Sequence, residues 1–539
     1  MSPFTITVID TTGKQNYIFS SNRLRENIGA SRLLSKSTKE WVEDTLDTLK
    51  IPNGLQEEPI ETSELNAELI YAAGGNALII FKSHELAIRF TKILGRRVLE
   101  KAPGINLLVA HADFDWENND LYSVVEELKR NQIDRQKYER IPSAPLLGLG
   151  VNASCNSTQL PAVDRSDQYI NYSDDEDIDS YLISTETKQK LKAVSEANKH
   201  LQSIFAEVFD QNIYQFPYRT DHLGRSGGES SYTAVVHADG NGMGNRFKAH
   251  GMGRENRDYI NAIRAFSKSV DRAGINALKA VAKLVIESIE EGKIIGKLGE
   301  FKLKAQYNLP FRPLVYGGDD ITFICEGRLG LELAALFLRE FEKQKVNDGK
   351  PLTACAGVSV VKTHYPFARA YQISEDLCRE AKKFVKQSKK IYSVDDFSAL
   401  DWHLAASGLI GSISDIRQRE YQRIVDSKPY HLEMRPLRLN HHDTEWRTWD
   451  GITQVIKEFK QGEDWKDRQN KVMALREILR EGSDLGVQDF LKSYNLPTLP
   501  LFLDSSGQAK QLAEKGWLDG ICGYFDAIEA IEFYISLGD

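Results

Sequence analysis

Residues 313–327 read PLVYGGDDITFICEG. Two short apolar runs, LVY and ITFIC, flank two glycines and two aspartates, which is the pattern of a tight β-hairpin. Gly-Asp at such a turn accepts the positive φ of a type I′ connection, and the flanking residues suit strands. A hairpin needs glycine but not a pair of acids, so the meaning of the acids depends on what accompanies them elsewhere in the chain.

The chain repeats the pattern. A first copy runs TVIDTTGKQNYIF (7–19), LIYAAGGNALIIF (69–81) and INLLVAHA (105–112); a second runs AVVHADGNGMGNRF (234–247), PLVYGGDDITFIC (313–325) and LTACAGVSVV (352–361). In both, a strand ends in an aspartate, a Gly-Gly hairpin follows and a further strand closes the set, the signature of a duplicated unit. Aligned on their glycine pairs, the copies differ where chemistry would sit. Asn76 and Ala77 stand opposite Asp319 and Asp320, so the first copy keeps the turn and loses the carboxylates.

In SYTAVVHADGNGMGNRFK (231–248) an apolar strand delivers Asp239 to its carboxyl end, and Gly240, Asn241 and Gly242 follow. Glycines there let backbone amides approach phosphate oxygens, and a helix starting next adds its dipole. The spacing is not the dinucleotide fingerprint GxGxxG. Asp239 would repel a polyphosphate unless a divalent cation lay between them. If this strand neighbours the GGDD hairpin, Asp239, Asp319 and Asp320 converge on one sheet edge and suit two magnesium or manganese ions about 4 Å apart. Such a site would activate a ribose hydroxyl and stabilise departing pyrophosphate, with Gly317 and Gly318 shaping the hairpin. Downstream, AKKFVKQSKK (381–390) places Lys382 and Lys386 four apart on one helix face, where paired ammonium groups could meet the β- and γ-phosphates. A solvated basic helix end accounts for that run equally well, and for Lys383, Lys389 and Lys390 it is the preferred reading. His237 and His364 receive no role.

The bulk composition bounds the rest. The chain has 539 residues, 41% hydrophobic content and a net charge of −8, which suggests about three or four domains and lacks the basic field of a sequence-independent nucleic-acid binder. Five cysteines, Cys155, Cys325, Cys355, Cys378 and Cys522, sit far apart without a CxxC pair. They point to neither a disulfide framework nor a cysteine zinc site, but to a reducing cytoplasm. MSPFTITVID has no signal-peptide pattern, and no apolar run approaches membrane-spanning length. His441, His442 and Asp443 lack a second partner at metal-ligand spacing and read as loop chemistry. The expected division is residues 1–160, the first copy of the duplicated unit, without its acids; 161–230, an acidic linker and helical segment; 231–400, the second copy with the GGDD site; and 401–539, a helical domain.

Several extended stretches together resemble the large palm-polymerase subunit of type III CRISPR effectors, a family related to GGDEF nucleotide cyclases. YIFSSNRLRENIGASRLL (17–34) and IYAAGGNALIIF (70–81) resemble its first, inactive palm, and LGVNASCNSTQLPAV (149–163) the connector after it. HADGNGMG (237–244) and FRPLVYGGDDITFIC (311–325) resemble its second, active palm, followed by ACAGVSVVKTHYPFARAY (354–371) and YSVDDFSALDWH (392–403). The resemblance implies an α+β fold of two ferredoxin-like palms, each an antiparallel sheet with helices on one face, plus a helical linker and a helical C-terminal domain. It also implies an enzyme that joins ATP into cyclic oligoadenylate or a related cyclic messenger in antiviral defence. Asp239, Asp319 and Asp320 would be its metal ligands, and Lys382 and Lys386 its triphosphate lysines. The first palm starts within a few residues of Met1, so a shortened form without the HD nuclease domain is expected, as is the absence of a cysteine-rich zinc element. The chain would work with guide RNA and small subunits in an RNA-guided complex, or alone. The contrasting reading is a non-catalytic scaffold that binds RNA and partner subunits.

Overall fold

In the computed structural model the described residues are 4–49, 58–139, 150–170, 180–210, 213–224, 231–303, 307–392, 394–405, 411–425, 427–442, 445–482, 484–503 and 507–538. Residues 171–179 of the acidic linker, and Asp443, lie outside them.

The first unit is built from β1 (Phe4–Thr12), α1 (Lys14–Phe19), α2 (Leu24–Thr38), β2 (Ala67–Ala73), β3 (Asn76–Phe81), α3 (His84–Lys101) and β4 (Asn106–Phe114). Its sheet has the order β2-β3-β1-β4. A helix α4 (Thr185–Ile204) packs on α2 so closely that a Cβ at Gly29 would stand 1.8 Å from the Lys190 carbonyl.

The second unit repeats that order. Strand β5 (Tyr232–Gly240) leads into α5 (Met243–Gly251) and the long α6 (Asn256–Glu287), then β6 (Phe311–Gly317), β7 (Asp320–Glu326), α7 (Gly330–Glu342), β8 (Ala354–Lys362) and α8 (Phe367–Tyr392). The sheet runs β6-β7-β5-β8 and continues into β9 (Ala399–Ala405) and β10 (Leu437–Arg438). Both units therefore have the β-α-β-β-α-β chain order and strand arrangement of a ferredoxin-like fold. Their hairpins even share an irregularity: register shifts between Leu69 and Tyr71 in one, and between Pro313 and Val315 in the other.

Three expectations need correction. Helices cover both faces of each sheet, not one. Ala234, Val236 and Ala238 of β5 enter a core with α6 and α7, whereas the intervening Val235 joins a second core with Phe367, Ala370 and Tyr371 of α8. The unbroken apolar run AVV is the sequence trace of burial on both sides. The boundary at residue 400 falls inside β9, which pairs parallel with β8. Beyond it the chain is not purely helical: residues 422–425, 428–431, 517–518 and 521–522 form a small four-stranded sheet. These residues share the core of the second unit, as where Trp402 of β9 meets Trp449 edge-on at 5.9 Å.

Helix α6 joins the two units. At about 1.5 Å per residue its 32 residues span roughly 48 Å. Tyr259, Ile260 and Ile263 lie in the first unit's core; Phe266, Val270, Ala273 and Ala277 lie in the second's. Arg257 and Arg264 clasp the buried Glu68 of β2 at 2.8 and 2.6 Å.

Candidate active site

Asp239 is the last acid of β5 and Asp320 the first residue of β7, and the two are direct cross-strand partners. Directly opposed residues of an antiparallel pair project to the same face, so the carboxylates stand side by side. Asp319 occupies the turn. Its side chain crosses to Gly240, where a Cβ would meet Asp319 Cβ at 2.8 Å, and its carbonyl accepts from Gly240 N at 3.2 Å. The structure thus brings together the acids that the sequence placed 80 residues apart.

The hairpin differs from the expected type I′. Gly317 pairs with Asp320, so Gly318 and Asp319 are the central residues, and only Gly318 has positive φ (76°). That is the φ pattern of a type II′ turn. In the first unit Ala73 pairs with Asn76, and both central glycines, Gly74 (60°) and Gly75 (81°), have positive φ, as type I′ requires. Superposing the turns rather than their glycine letters moves the comparison by one residue. Gly75 takes the place of Asp319 and Asn76 that of Asp320, while Asp10, in line with Asn76 across β1, takes the place of Asp239. The first unit has kept one acid of three and closed it with lysines, Lys137 at 2.6 Å and Lys14 at 3.8 Å.

Around the second unit's acids, Lys382 Nζ donates to Asp239 Oδ2 at 2.5 Å and to the Gly240 carbonyl at 3.1 Å. Burial pulls its ammonium down, but the Asp239 charge and hydrogen bond hold it above the ordinary lysine value. Desolvation first, then repulsion from Asp239, pushes Asp319 up to about 7 and Asp320 up to about 6. Lys386, one turn further on α8, is exposed.

Two of the predicted phosphate-binding amides are already used. Gly240 N donates to Asp319 O and Asn241 N to Thr353 O (2.9 Å); the Asn241 amide side chain bonds Thr353 Oγ1 and Phe397 O. The amides left at this corner are those of the first turn of α5. Gly242 (φ 64°) starts that helix without a side-chain cap, and Gly242 and Gly244 border open space.

Four residues near the acids were not legible. Gln15 of α1 donates from Nε2 to Asp320 Oδ2 at 3.0 Å, a contact across 305 positions. Asp271 of α6 accepts from Gly318 N at 3.1 Å and holds the hairpin tip. His237 is buried and bonded to Thr322 Oγ1 at 3.1 Å; burial lowers its pKa, so its 3.6 Å approach to Asp320 is not an ion pair. Tyr371 lies edge-on to His237. Only the strand position of His237, two residues before Asp239, carried a signal.

The donor set fits a hard divalent cation. Its acids are three carboxylates; the nearby His237 is bonded to Thr322, Cys355, the cross-strand partner of Asp239 on β8, donates its thiol to Asn241, and Asp320 Oδ1 is buried without a hydrogen-bond partner among the described residues. As they stand, no three His, Cys, Asp or Glu among the described residues enclose a metal; the Lys382 ammonium is the cation now facing Asp239. No described helix is long and apolar enough to cross a membrane.

Residues 232–390 match the sequence family described as Cas10/Cmr2, second palm domain. Over 99% of its length the chain also superposes on 70% of the corresponding chain in crystal structures of a Csm1-Csm4 cassette in complex with pppApA and with cA3, each at 12% identity and a TM-score of 0.52. The cassette in complex with AMPPNP gives 14% identity and a TM-score of 0.50, over 98% of this chain and 70% of that one. At such identity the likeness is one of fold. No curated protein matches the chain in sequence.

Proposed function

With a Cas10/Cmr2 second palm domain at residues 232–390 and the Csm1 fold around it, we propose that the chain is a metal-dependent nucleotidyltransferase. It joins ATP into a cyclic oligoadenylate or a related cyclic messenger, in the cytoplasm, within a type III CRISPR-like complex or alone. The observation that carries this reading is the cross-strand pairing of Asp239 with Asp320, with Asp319 turned in beside them. The relatives support the substrate class, being cassettes in complex with AMPPNP, pppApA and cA3, and they suggest a Csm4-like partner; a guide RNA would join it if the chain works in an RNA-guided complex.

Asp239, Asp319 and Asp320 would hold the magnesium or manganese ions, which when bound lower the pKa of the attacking ribose hydroxyl and stabilise the pyrophosphate. The chain's own residues do the rest. The uncapped first turn of α5 offers amides and a positive dipole end to the phosphates. Lys382, 2.5 Å from Asp239, would supply an ammonium to the triphosphate beside that carboxylate. Lys386, exposed one turn beyond on the same helix, would add a second ammonium for the phosphates. Asp271 and the positive φ of Gly318 fix the hairpin, and hence Asp319.

Incubating the purified protein, alone and with reconstituted partners, with ATP and manganese tests this. Pyrophosphate and cyclic product are expected, and both are lost on replacing Asp319 and Asp320 by Ala. A scaffold role is favoured by one observation, the first palm that keeps the fold with Gly75 and Asn76 where the acids would stand. Intact assembly and immune function in the double variant would select the scaffold.

A further inference from the structure

Helix α1 belongs to the first palm, yet its first turn touches the second palm's acids. It is fixed at both ends. Lys14 Nζ donates to the Gly74 carbonyl at 2.6 Å, and Phe19 stacks on Tyr371 of α8 with ring centroids 3.8 Å apart and an interplanar angle of 18°. Between these anchors Gln15 Nε2 donates to Asp320 Oδ2 at 3.0 Å. The other oxygen of Asp320, Oδ1, is buried, lies 3.6 Å from His237 Nδ1 and has no hydrogen-bond partner among the described residues.

We propose that Gln15 is a positioning residue for the neighbouring palm: its amide pins one oxygen of Asp320 and thereby aims the other at the metal position. This rests on the nucleotidyltransferase reading. An uncharged donor suits the task, because it orients the carboxylate and leaves its charge for a cation, whereas Lys382 on Asp239 both orients and neutralises. The first palm, whose own acid is closed by Lys137 and Lys14, thus completes the active palm's constellation, and the site exists in full only where the two palms are docked.

The test uses the full chain with manganese(II) and a non-hydrolysable ATP analogue, measuring manganese affinity by calorimetry for the wild type, Gln15→Leu and Gln15→Asn. Leucine keeps the bulk and cannot donate; asparagine leaves the amide about 1.5 Å short. Losing a hydrogen bond to a charged group is expected to weaken manganese binding about tenfold in both variants. The loss of pyrophosphate release should be large at limiting manganese and smaller at saturating manganese. A residue that only supported packing would lower thermal stability without this dependence on metal. Manganese affinity within about twofold of wild type in both variants overturns the role of Gln15 while the reading stands. A wild-type chain that binds no manganese overturns the reading itself, and the proposal with it.

Discussion

Replacing Asp319 by Asn should stabilise the metal-free protein while abolishing its chemistry. Burial and the Asp239 charge push the Asp319 carboxyl from its ordinary 3.8 up to about 7. Folding therefore favours the protonated form. The associated stability is complete below pH about 4 and is lost as the pH rises through 7, so at pH 8 the ionised group works against the fold. Taken at face value the shift corresponds to about 4 kcal/mol; partial solvation of the cleft reduces this to about 1–2 kcal/mol. Asparagine has the same shape and no charge. At pH 8 with chelator, Asp319→Asn should melt roughly 2–6 °C above wild type, for a cooperative unit of about 200 residues. The gain should shrink at pH 5, and saturating manganese should raise the wild type but not the variant. A variant no more stable than wild type at pH 8, or equally stabilised at both pH values, would refute the proposed crowding of the carboxylates.

The hairpin glycines should behave differently. Gly318→Ala places a side chain at φ 76° and should cost about 1 kcal/mol and most of the activity; Gly317→Ala, whose Cβ would meet nothing nearer than Asp271 Oδ1 at 3.7 Å, should be tolerated, and equal effects in melting and turnover assays would contradict the turn assignment. Gly357→Ala drives a Cβ to 2.0 Å from the Ser374 carbonyl, so α8 must shift and carry Lys382 away; a loss of about 3 kcal/mol in denaturant melts is expected. Lys382→Met should raise the KM for ATP on the order of tenfold, with kcat less affected. An unchanged KM would mean that Lys382 serves Asp239 alone.

The duplicated pattern and the acids were readable because strand periodicity and turn residues are local signals. Asp239 ends an apolar run, Asp320 begins one, and hydrogen-bond register then aligns them. Aligning the repeats by letters misplaced them by one residue, since Gly-Gly and Gly-Asp make different turns: two positive φ values in one, a single one in the other. The amides of Gly240 and Asn241 look free in sequence but are taken by the carbonyls of Asp319, in the hairpin turn, and Thr353, just before β8. ALDWHLA gave no alternation because β9 is buried, and Gln15 gave none because its partner lies in the other palm.

The most direct test is the position of manganese in crystals of the full chain grown with a non-hydrolysable ATP analogue, located from anomalous scattering. The account predicts metal within about 2.2 Å of carboxylate oxygens of Asp239 and of Asp319 or Asp320, and two ions about 4 Å apart when the site is full. Manganese bound elsewhere, or nucleotide bound with Lys382 still on Asp239 and no metal between the strands, would contradict it.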